Sequence, residues 1–140
     1  MALIGEYRHT IDVKGRLIVP SRIREDFEDD VVMLSRYGRG DRIAMWSKPG
    51  WTDYEAFLLE QRRGSDKQTE LVVGRILASA FPEKIDKQGR ILVPQPLRDY
   101  AGVTRDVVVT GQATHAEIWD APRWEAQGQE IDFDSVDIQY

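Results

Sequence analysis

The stretch Ile11-Asp12-Val13-Lys14-Gly15-Arg16-Leu17-Ile18-Val19-Pro20 decides the fold, because it returns 74 positions later as Ile85-Asp86-Lys87-Gln88-Gly89-Arg90-Ile91-Leu92-Val93-Pro94. In both copies an arginine follows a glycine and leads into an apolar run that ends at proline. Self-similarity at a fixed period indicates a repeated structural unit. We therefore expect two copies of one unit in this chain.

The similarity extends beyond these ten residues. Tyr7 matches Phe81, Ser21-Arg22-Ile23-Arg24 matches Gln95-Pro96-Leu97-Arg98, and Trp46-Ser47-Lys48-Pro49-Gly50-Trp51 matches Trp119-Asp120-Ala121-Pro122-Arg123-Trp124. All four tryptophans of the chain fall in the last pattern. Chance is a poor explanation for that placement.

The Asp-x-x-Gly-Arg sequence predicts a tight turn in each copy. Aspartate at the first position and glycine at the fourth are typical of a type I turn. Glycine tolerates the left-handed conformation that follows such a turn in a three-residue hairpin loop, and aspartate accepts local backbone N–H bonds. We predict that the following residues shape two hairpin loops: Asp12, Gly15, Asp86 and Gly89.

The apolar run after each turn predicts a strand. Leu17-Ile18-Val19 and Ile91-Leu92-Val93 are continuous, which favours strands buried on both faces. Pro20 and Pro94 end these strands and can open short helices.

A different segment separates the copies. Thr52-Asp53-Tyr54-Glu55 is typical of a capping box, Gly64-Ser65-Asp66 breaks the helical pattern, and a second helix is expected from near Ser65. Each repeated unit has about 45 residues, too few for a stable core of its own without staples. We predict one composite β-barrel built from both copies with helices outside it. Two independent units are the alternative.

Composition points away from several classes of protein. The chain has no cysteine and only two histidines, His9 and His115, which stand far apart, so neither a disulfide scaffold nor a metal site is expected. No apolar run approaches the roughly 20 residues of a membrane span. No constellation of serine, histidine and carboxylate is recognisable. We predict no enzyme, no cofactor, no metal and no membrane partner.

Charge is distributed unevenly along the chain. The net charge is −5, and residues 125–140 carry five carboxylates with no lysine or arginine, so residues 1–124 are neutral. Within that neutral part, residues 8–24 hold five basic residues against Asp12 alone. Local charge attracts a polyanion more than the average does. A solvated basic surface without a partner is the alternative.

Two interpretations of the turn arginines follow. Arg16 and Arg90, near hairpin tips, can reach phosphates or the O6/N7 edge of guanine. They can also pair back to Asp12 and Asp86, which contributes little at an exposed site. Lys14 is a further candidate for phosphate contact.

These residues resemble the MraZ family. The resemblance rests on four segments and covers about residues 5–124: Tyr7-x-His9-x-Ile11-Asp12-x-Lys14-Gly15-Arg16-Leu17, Asp86-Lys87-Gln88-Gly89-Arg90-Ile91-Leu92-Val93-Pro94, Leu97-Arg98-x-Tyr100-Ala101-Gly102-Val103-Thr104 and Glu117-Ile118-Trp119-Asp120. It implies a mainly β fold with helices (α+β), a pseudo-symmetric double swapped-hairpin β-barrel of SpoVT–AbrB type. Its parts would be repeats 5–51 and 80–124 with a helical insert 52–79, and the acidic C-terminal tail 125–140 lies outside the resemblance.

The resemblance also implies a function. A member of this family is expected to be a cytoplasmic, nucleoid-associated transcriptional regulator. It would form a ring-shaped homo-oligomer and bind direct repeats of double-stranded DNA in the promoter of the division and cell-wall gene cluster. The residues implied to contact DNA are Lys14, Arg16 and Arg90, and the basic side chains of Arg8 and Lys87 are further candidates. Val13 and Gln88 depart from a uniformly basic loop, so each copy has one lysine there.

Two other classes of function stay open at this point. One is a protein-interaction module of the AbrB or antitoxin type, whose main partner is another protein. A toxin-binding antitoxin usually couples one unit to an extended tail, whereas this chain has two units and a short tail. The other is an enzyme whose site has no recognisable sequence pattern.

Overall fold

The computed structural model describes residues 3–140, with residue 29 described by its backbone alone. The strands and helices in these residues are, in chain order, β1 (Glu6–Thr10), β2 (Arg16–Ile18), α1 (Ser21–Arg24), β3 (Val31–Tyr37), β4 (Arg42–Trp46), α2 (Lys48–Arg62), α3 (Lys67–Ala78), β5 (Phe81–Lys84), β6 (Arg90–Leu92), α4 (Gln95–Ala101), β7 (Asp106–Gly111), β8 (Ala116–Asp120) and α5 (Ala121–Gln129). Short 3₁₀ turns lie at Glu28–Asp30 and Phe133–Ser135. The predicted α+β class is confirmed.

The two copies exchange strands. The larger sheet is antiparallel, with the order β1-β7-β8-β4-β3-β5. Strand β1 of the first copy pairs with β7 of the second, and β5 of the second copy pairs with β3 of the first. Strands β2 and β6, one from each copy, form a separate two-stranded ribbon. The copies therefore share their sheets and do not form two independent units.

The prediction of a closed barrel is not confirmed. Among the described strands, β1 and β5 each pair with one neighbour and form the two edges of the larger sheet, and the ribbon stands apart from it. The strands that flank each turn also do not pair into a ladder with one another, so the turns are not the tips of local hairpins. Each flanking strand finds its partner in the other copy instead.

The ribbon is buried on one face only. Leu17 and Ile91 are fully buried and belong to the main hydrophobic core. Ile18 is 49% exposed and Leu92 is 46% exposed. The prediction that both faces are buried is therefore wrong. A ribbon of two strands meets the core with one side, and its other side carries apolar residues into solvent.

The Trp-x-x-Pro-x-Trp pattern opens a helix in both copies. Helix α2 begins at Lys48, and the side chain of Ser47 accepts a 3.1 Å bond from the N–H of Gly50. The predicted capping box at Thr52 is wrong, since Thr52 lies inside α2 and its hydroxyl donates to the carbonyl of Lys48. Pro49 explains the earlier start because its fixed φ suits the first turn of a helix. Helix α5, which the sequence analysis does not predict, starts in the corresponding place.

The short helices that follow the ribbon strands agree with the proline signals. Helix α1 follows Pro20 and α4 follows Pro94. Gly102 ends α4 with φ of 68°, in the left-handed conformation that glycine adopts without strain. The proposed limits of the repeats and of the insert stay predictions. Within residues 3–140, no helix combines the length and the apolar character needed to cross a bilayer.

Candidate nucleic-acid interface

The first turn is held by the side chain and backbone of Asp12. Its N–H donates to the carbonyl of Arg16 at 3.1 Å, and its carbonyl accepts from Gly15 at 2.9 Å. Its Oδ1 accepts from the N–H groups of Lys14 and Arg16, both at 2.9 Å. Gly15 has φ of 88°, which any residue with a Cβ adopts only with strain. One carboxylate and one glycine thus set the shape of the turn.

The second turn repeats this geometry. Oδ1 of Asp86 accepts from the N–H groups of Gln88 and Arg90, both at 2.9 Å. The carbonyl of Asp86 accepts from Gly89, whose φ is 80°. The bond from the backbone N–H of Arg16 is the largest cause that lowers the pKa of Asp12 below its ordinary value. The backbone N–H of Arg90 does the same for Asp86. Both carboxylates are therefore ionised at neutral pH.

Each turn arginine is held by the aspartate of its own turn. Nε of Arg16 donates to Oδ2 of Asp12 at 2.8 Å, and Nε of Arg90 donates to Oδ2 of Asp86 at 2.9 Å. The two arginine side chains are 37% and 31% exposed. Pairing back across the turn, one of the two interpretations above, is what the structure shows. The bond uses Nε alone, so the two Nη groups of each guanidinium take no part in it.

The ribbon places the two arginines on one face. Arg16 lies opposite Leu92, and Ile18 lies opposite Arg90. Because side chains two apart on a strand share a face, these four residues lie together on the exposed side of the ribbon. Arg16 and Arg90 are diagonal neighbours, whose Cα atoms lie about 7–8 Å apart in such a pair. We call this surface, formed by residues 12–16, 18, 86–90 and 92, the turn face.

Backbone bonds fix each turn to the strand of the other copy. The N–H of Val19 donates to the carbonyl of Gly89, and the N–H of Val93 donates to the carbonyl of Gly15, both at 2.8 Å. The two turns therefore lie at opposite ends of one ribbon. Their relative position depends on strand exchange and not on a flexible linker.

Two further arginines lie against the turns and were not assigned to the site from sequence. A Cβ placed on Gly15 would lie 2.8 Å from Nη2 of Arg98, and one placed on Gly89 would overlap Nη1 of Arg24. Nε of Arg98 donates to the carbonyl of Val93 at 2.9 Å. Each of these arginines belongs to one copy and lies against the turn of the other copy. The repeat alignment carried the signal, since it matches Arg24 with Arg98.

Each turn therefore gathers three cations of the same kind. The first has Lys14, Arg16 and Arg98. The second has Lys87, Arg90 and Arg24, with its lysine one position earlier in the turn than Lys14. The two lysines are exposed, whereas the arginines are partly buried. The lysines thus extend into solvent from a base of ordered guanidinium groups.

The surroundings of the two turns differ in charge. The N–H of Ile11, before the first turn, donates to the carbonyl of Arg105 at 2.8 Å. The corresponding N–H of Ile85 donates to the carbonyl of Asp30 at 2.7 Å. Arg105 and Asp30 are both exposed. Arg105 also lines one surface pocket with Asp12 and Val13, so the first turn has an additional cation beside it, whereas the residue in the corresponding backbone contact of the second turn is an aspartate.

Arg8 lies in a different environment from the turn arginines. It stands on β1 and pairs with Glu6 at 3.1 Å and with Glu125 of α5. Two carboxylates offset its single charge, although its side chain is 55% exposed. The structure thus brings together four of the five predicted DNA contacts and puts Arg8 in an ion-pair network with the start of the acidic tail.

The one buried histidine has a local structural partner. Nε2 of His115 lies 2.8 Å from Oε2 of Glu117, whose Oε1 accepts from the indole N–H of Trp119 at 3.0 Å. Trp46 stacks on the histidine ring, with centroids 4.4 Å apart. In the part of the chain that the structure describes, no group of three or more histidine or carboxylate side chains is placed to hold a metal.

The two copies exchange strands, and a basic turn lies at each end of the ribbon that they share. These features define a duplicated β-rich protein with an exposed cationic face. The family model described as "MraZ protein, putative antitoxin-like" matches residues 2–75 and again residues 76–139. The chain belongs to the MraZ family.

Three named relatives agree with that membership. A transcriptional regulator MraZ of Acetivibrio thermocellus is 38% identical over 122 residues, covering 87% of this chain and 83% of the relative. The protein of the same name from Ligilactobacillus salivarius is 39% identical and covers 96% of this chain and 92% of its own length. The protein of that name from Treponema denticola is 32% identical and covers 88% of this chain and 85% of its own length. These relatives are named as transcriptional regulators and not as enzymes.

Proposed function

We propose that this chain is a sequence-specific DNA-binding transcriptional regulator that contacts double-stranded DNA with the turn face. The observation that carries the proposal is the pair of Asp-x-x-Gly-Arg turns at the two ends of one ribbon, each with three cations. The names of the relatives support it, since they are called transcriptional regulators.

Arg16 is proposed to read bases. A guanidinium held by a carboxylate through Nε keeps its Nη groups for bidentate bonds to O6 and N7 of guanine or to a phosphate. Asp12 fixes that guanidinium before DNA arrives, so less side-chain entropy is lost on binding. The exposed Lys14 and Lys87 carry a point charge on a flexible stem, which suits phosphate contact.

The two turns are proposed to contribute unequally. Arg105 adds positive charge beside the first turn, whereas Asp30 lies beside the second. Since phosphate contacts supply much of the affinity for DNA, the first turn should bind the more strongly. Arg24 and Arg98 support the turns and add phosphate contacts. Arg8 contributes least, because Glu6 and Glu125 offset its charge.

The assembly is proposed to be a ring-shaped homo-oligomer that binds direct repeats in the promoter of the division and cell-wall gene cluster. One turn face gives few contacts, and tethering several faces to matching repeats raises the avidity by orders of magnitude. The strand exchange between residues 5–51 and 80–124, with 52–79 inserted and 125–140 as an acidic tail, is interpreted as the SpoVT–AbrB swapped hairpin. Such a protein would be cytoplasmic and nucleoid-associated.

A mobility-shift titration tests the proposal. The probe is the DNA upstream of the protein's own gene, in a salt series from low to physiological concentration. Arg16→Ala should lose about 1–3 kcal/mol of binding free energy, and Arg90→Ala should lose less. Arg63→Ala is the matched control, since Arg63 is highly exposed beside Glu60 on α2. Wild-type affinity in the Arg16 variant would refute the assignment of the turn face.

A protein-interaction module is the second candidate, favoured by the antitoxin-like wording of the family description. It predicts a small protein that co-purifies in fixed stoichiometry, and DNA affinity that does not respond to Arg16→Ala. Light scattering of the purified protein, with and without DNA, distinguishes the two candidates.

A further inference from the structure

The turn face carries an apolar pair that phosphate binding does not use. Ile18 and Leu92 are 49% and 46% exposed and lie between Arg16 and Arg90 on the same face of the ribbon. A surface meant for phosphates alone needs cations and polar groups there. Cations that flank two exposed aliphatic side chains suit a ligand with both anionic and apolar groups.

The C-terminal segment, residues 130–140, has that composition. It carries four carboxylates and no lysine or arginine: Glu130, Asp132, Asp134 and Asp137. Its large apolar side chains are all exposed: Ile131 47%, Phe133 82%, Val136 63%, Ile138 59% and Tyr140 110%. A segment that only solubilises the protein has low hydrophobicity. Five exposed apolar side chains in eleven residues indicate a segment that docks on a surface.

We propose that residues 130–140 of a neighbouring copy dock on the turn face and compete with DNA for it. The inference rests on the proposed function, because it describes regulation of the same face. The occupant is a neighbour's segment, since in the single chain these residues lie exposed in solvent. The acidic segment acts as a mimic of DNA that also covers the apolar pair.

Spacing and charge support this match. When the segment is extended, alternate residues such as Asp132 and Asp134 lie about 7 Å apart. The diagonal arginines of the ribbon lie about 7–8 Å apart. Asp132 and Asp134 can thus take the place of phosphates at these arginines. Val136 and Ile138 lie on the same face of the extended segment and can cover the apolar pair of the ribbon.

Direct binding is the first test. A fluorescein-labelled peptide of residues 129–140 is titrated with chain truncated after Gln129, at low salt, and fluorescence polarisation is recorded. Saturable binding that unlabelled promoter DNA reverses is expected. The double variant Ile18→Ser/Leu92→Ser should bind the peptide with about tenfold lower affinity, as expected for loss of an apolar anchor. Circular dichroism verifies that the variant protein is folded. A peptide that does not bind, or binds this variant unchanged, overturns the proposal.

The second test separates docking from simple charge repulsion. Truncation after Gln129 removes four negative charges, so tighter DNA binding alone proves little. The variant Val136→Ser/Ile138→Ser keeps every carboxylate and removes two apolar side chains from the face that carries Asp132 and Asp134. If the segment docks, both this variant and the truncated chain bind DNA about three- to tenfold more tightly than wild type, since each releases a tethered competitor. If only truncation increases affinity, charge repulsion explains the effect and the proposal is wrong.

The outcomes also separate this inference from the proposed function. Failure of every form of the chain to bind promoter DNA at low salt refutes the proposed function, and the peptide titration then decides the docking by itself. DNA binding that Arg16→Ala abolishes, together with a peptide that does not bind, supports the proposed function and refutes the inference.

Discussion

Gly15→Ala tests whether the first turn depends on the close approach of the other copy. Gly15 has φ of 88°, and a Cβ there would lie 3.0 Å from the carbonyl oxygen of Val93 and 2.8 Å from Nη2 of Arg98. The side chain of Arg98 can move away. Val93 cannot easily do so, because its N–H donates to the carbonyl of Gly15 itself at 2.8 Å.

Two costs add in this variant. An alanine in the left-handed conformation costs about 1–2 kcal/mol. Displacing a packed backbone neighbour adds about 1–3 kcal/mol, as overpacking does. The free energy of unfolding should therefore fall by about 2–5 kcal/mol, a large share of the 5–15 kcal/mol typical of a domain.

Urea unfolding followed by tryptophan fluorescence measures this loss, with Gly64→Ala as the matched control. Gly64 has φ of 60°, and a Cβ there would meet no atom within 4 Å. The control therefore isolates the backbone strain of about 1–2 kcal/mol. Equal losses in the two variants would show that the strand of the second copy accommodates the new Cβ without cost, and would refute this reasoning.

Three further predictions concern acid stability, the ribbon and helix α3. Bonds from backbone N–H groups lower the pKa of Asp12 and Asp86 in the folded state. The two carboxylates therefore contribute fully to stability above the ordinary pKa of 3.8, and this contribution is lost as the pH falls through the lowered pKa. Carboxyl NMR titration measures the two pKa values, and midpoints at the ordinary value would contradict the prediction. Ile91→Ala, in the core, should cost about 2–5 kcal/mol of unfolding free energy and Leu92→Ala, on the exposed face, much less, so similar losses in denaturant unfolding argue against a one-sided ribbon. Gly74→Ala, inside α3 with open space around the new Cβ, should stabilise the protein by about 0.5–1 kcal/mol, and a lower thermal midpoint would contradict that.

The repeat predicted the turns because their geometry is local. Aspartate at the first position and glycine at the fourth determine bonds within five residues, so one copy of the motif suffices to describe them. The partners of β2 and β6 depend on residues 74 positions away, which no local pattern specifies. For the same reason the sequence did not reveal that the strands form an open sheet and a separate ribbon in place of the predicted closed barrel.

The other differences between the predictions and the structure have local physical causes. Ile18 and Leu92 belong to continuous apolar runs, and such a run does not reveal that a ribbon has only one covered face. Thr52 and Ser47 are both acceptable helix caps, and Pro49 decides between them. Arg24 and Arg98 sit on helices remote in sequence from the turns they contact, yet the repeat alignment had already matched them with each other.

Strand exchange has a consequence for synthesis on the ribosome. Strand β1 cannot pair until β7 has been synthesised, because Glu6 lies opposite Thr110 in the sheet. While the intervening residues are being translated, the first half carries unpaired strand edges and an uncovered core, the condition that favours misassembly with other nascent chains. Contacts so distant in sequence also slow folding. The completed chain therefore matures in one late step, and nonsense fragments that end before β7 should be substrates for chaperones and proteases.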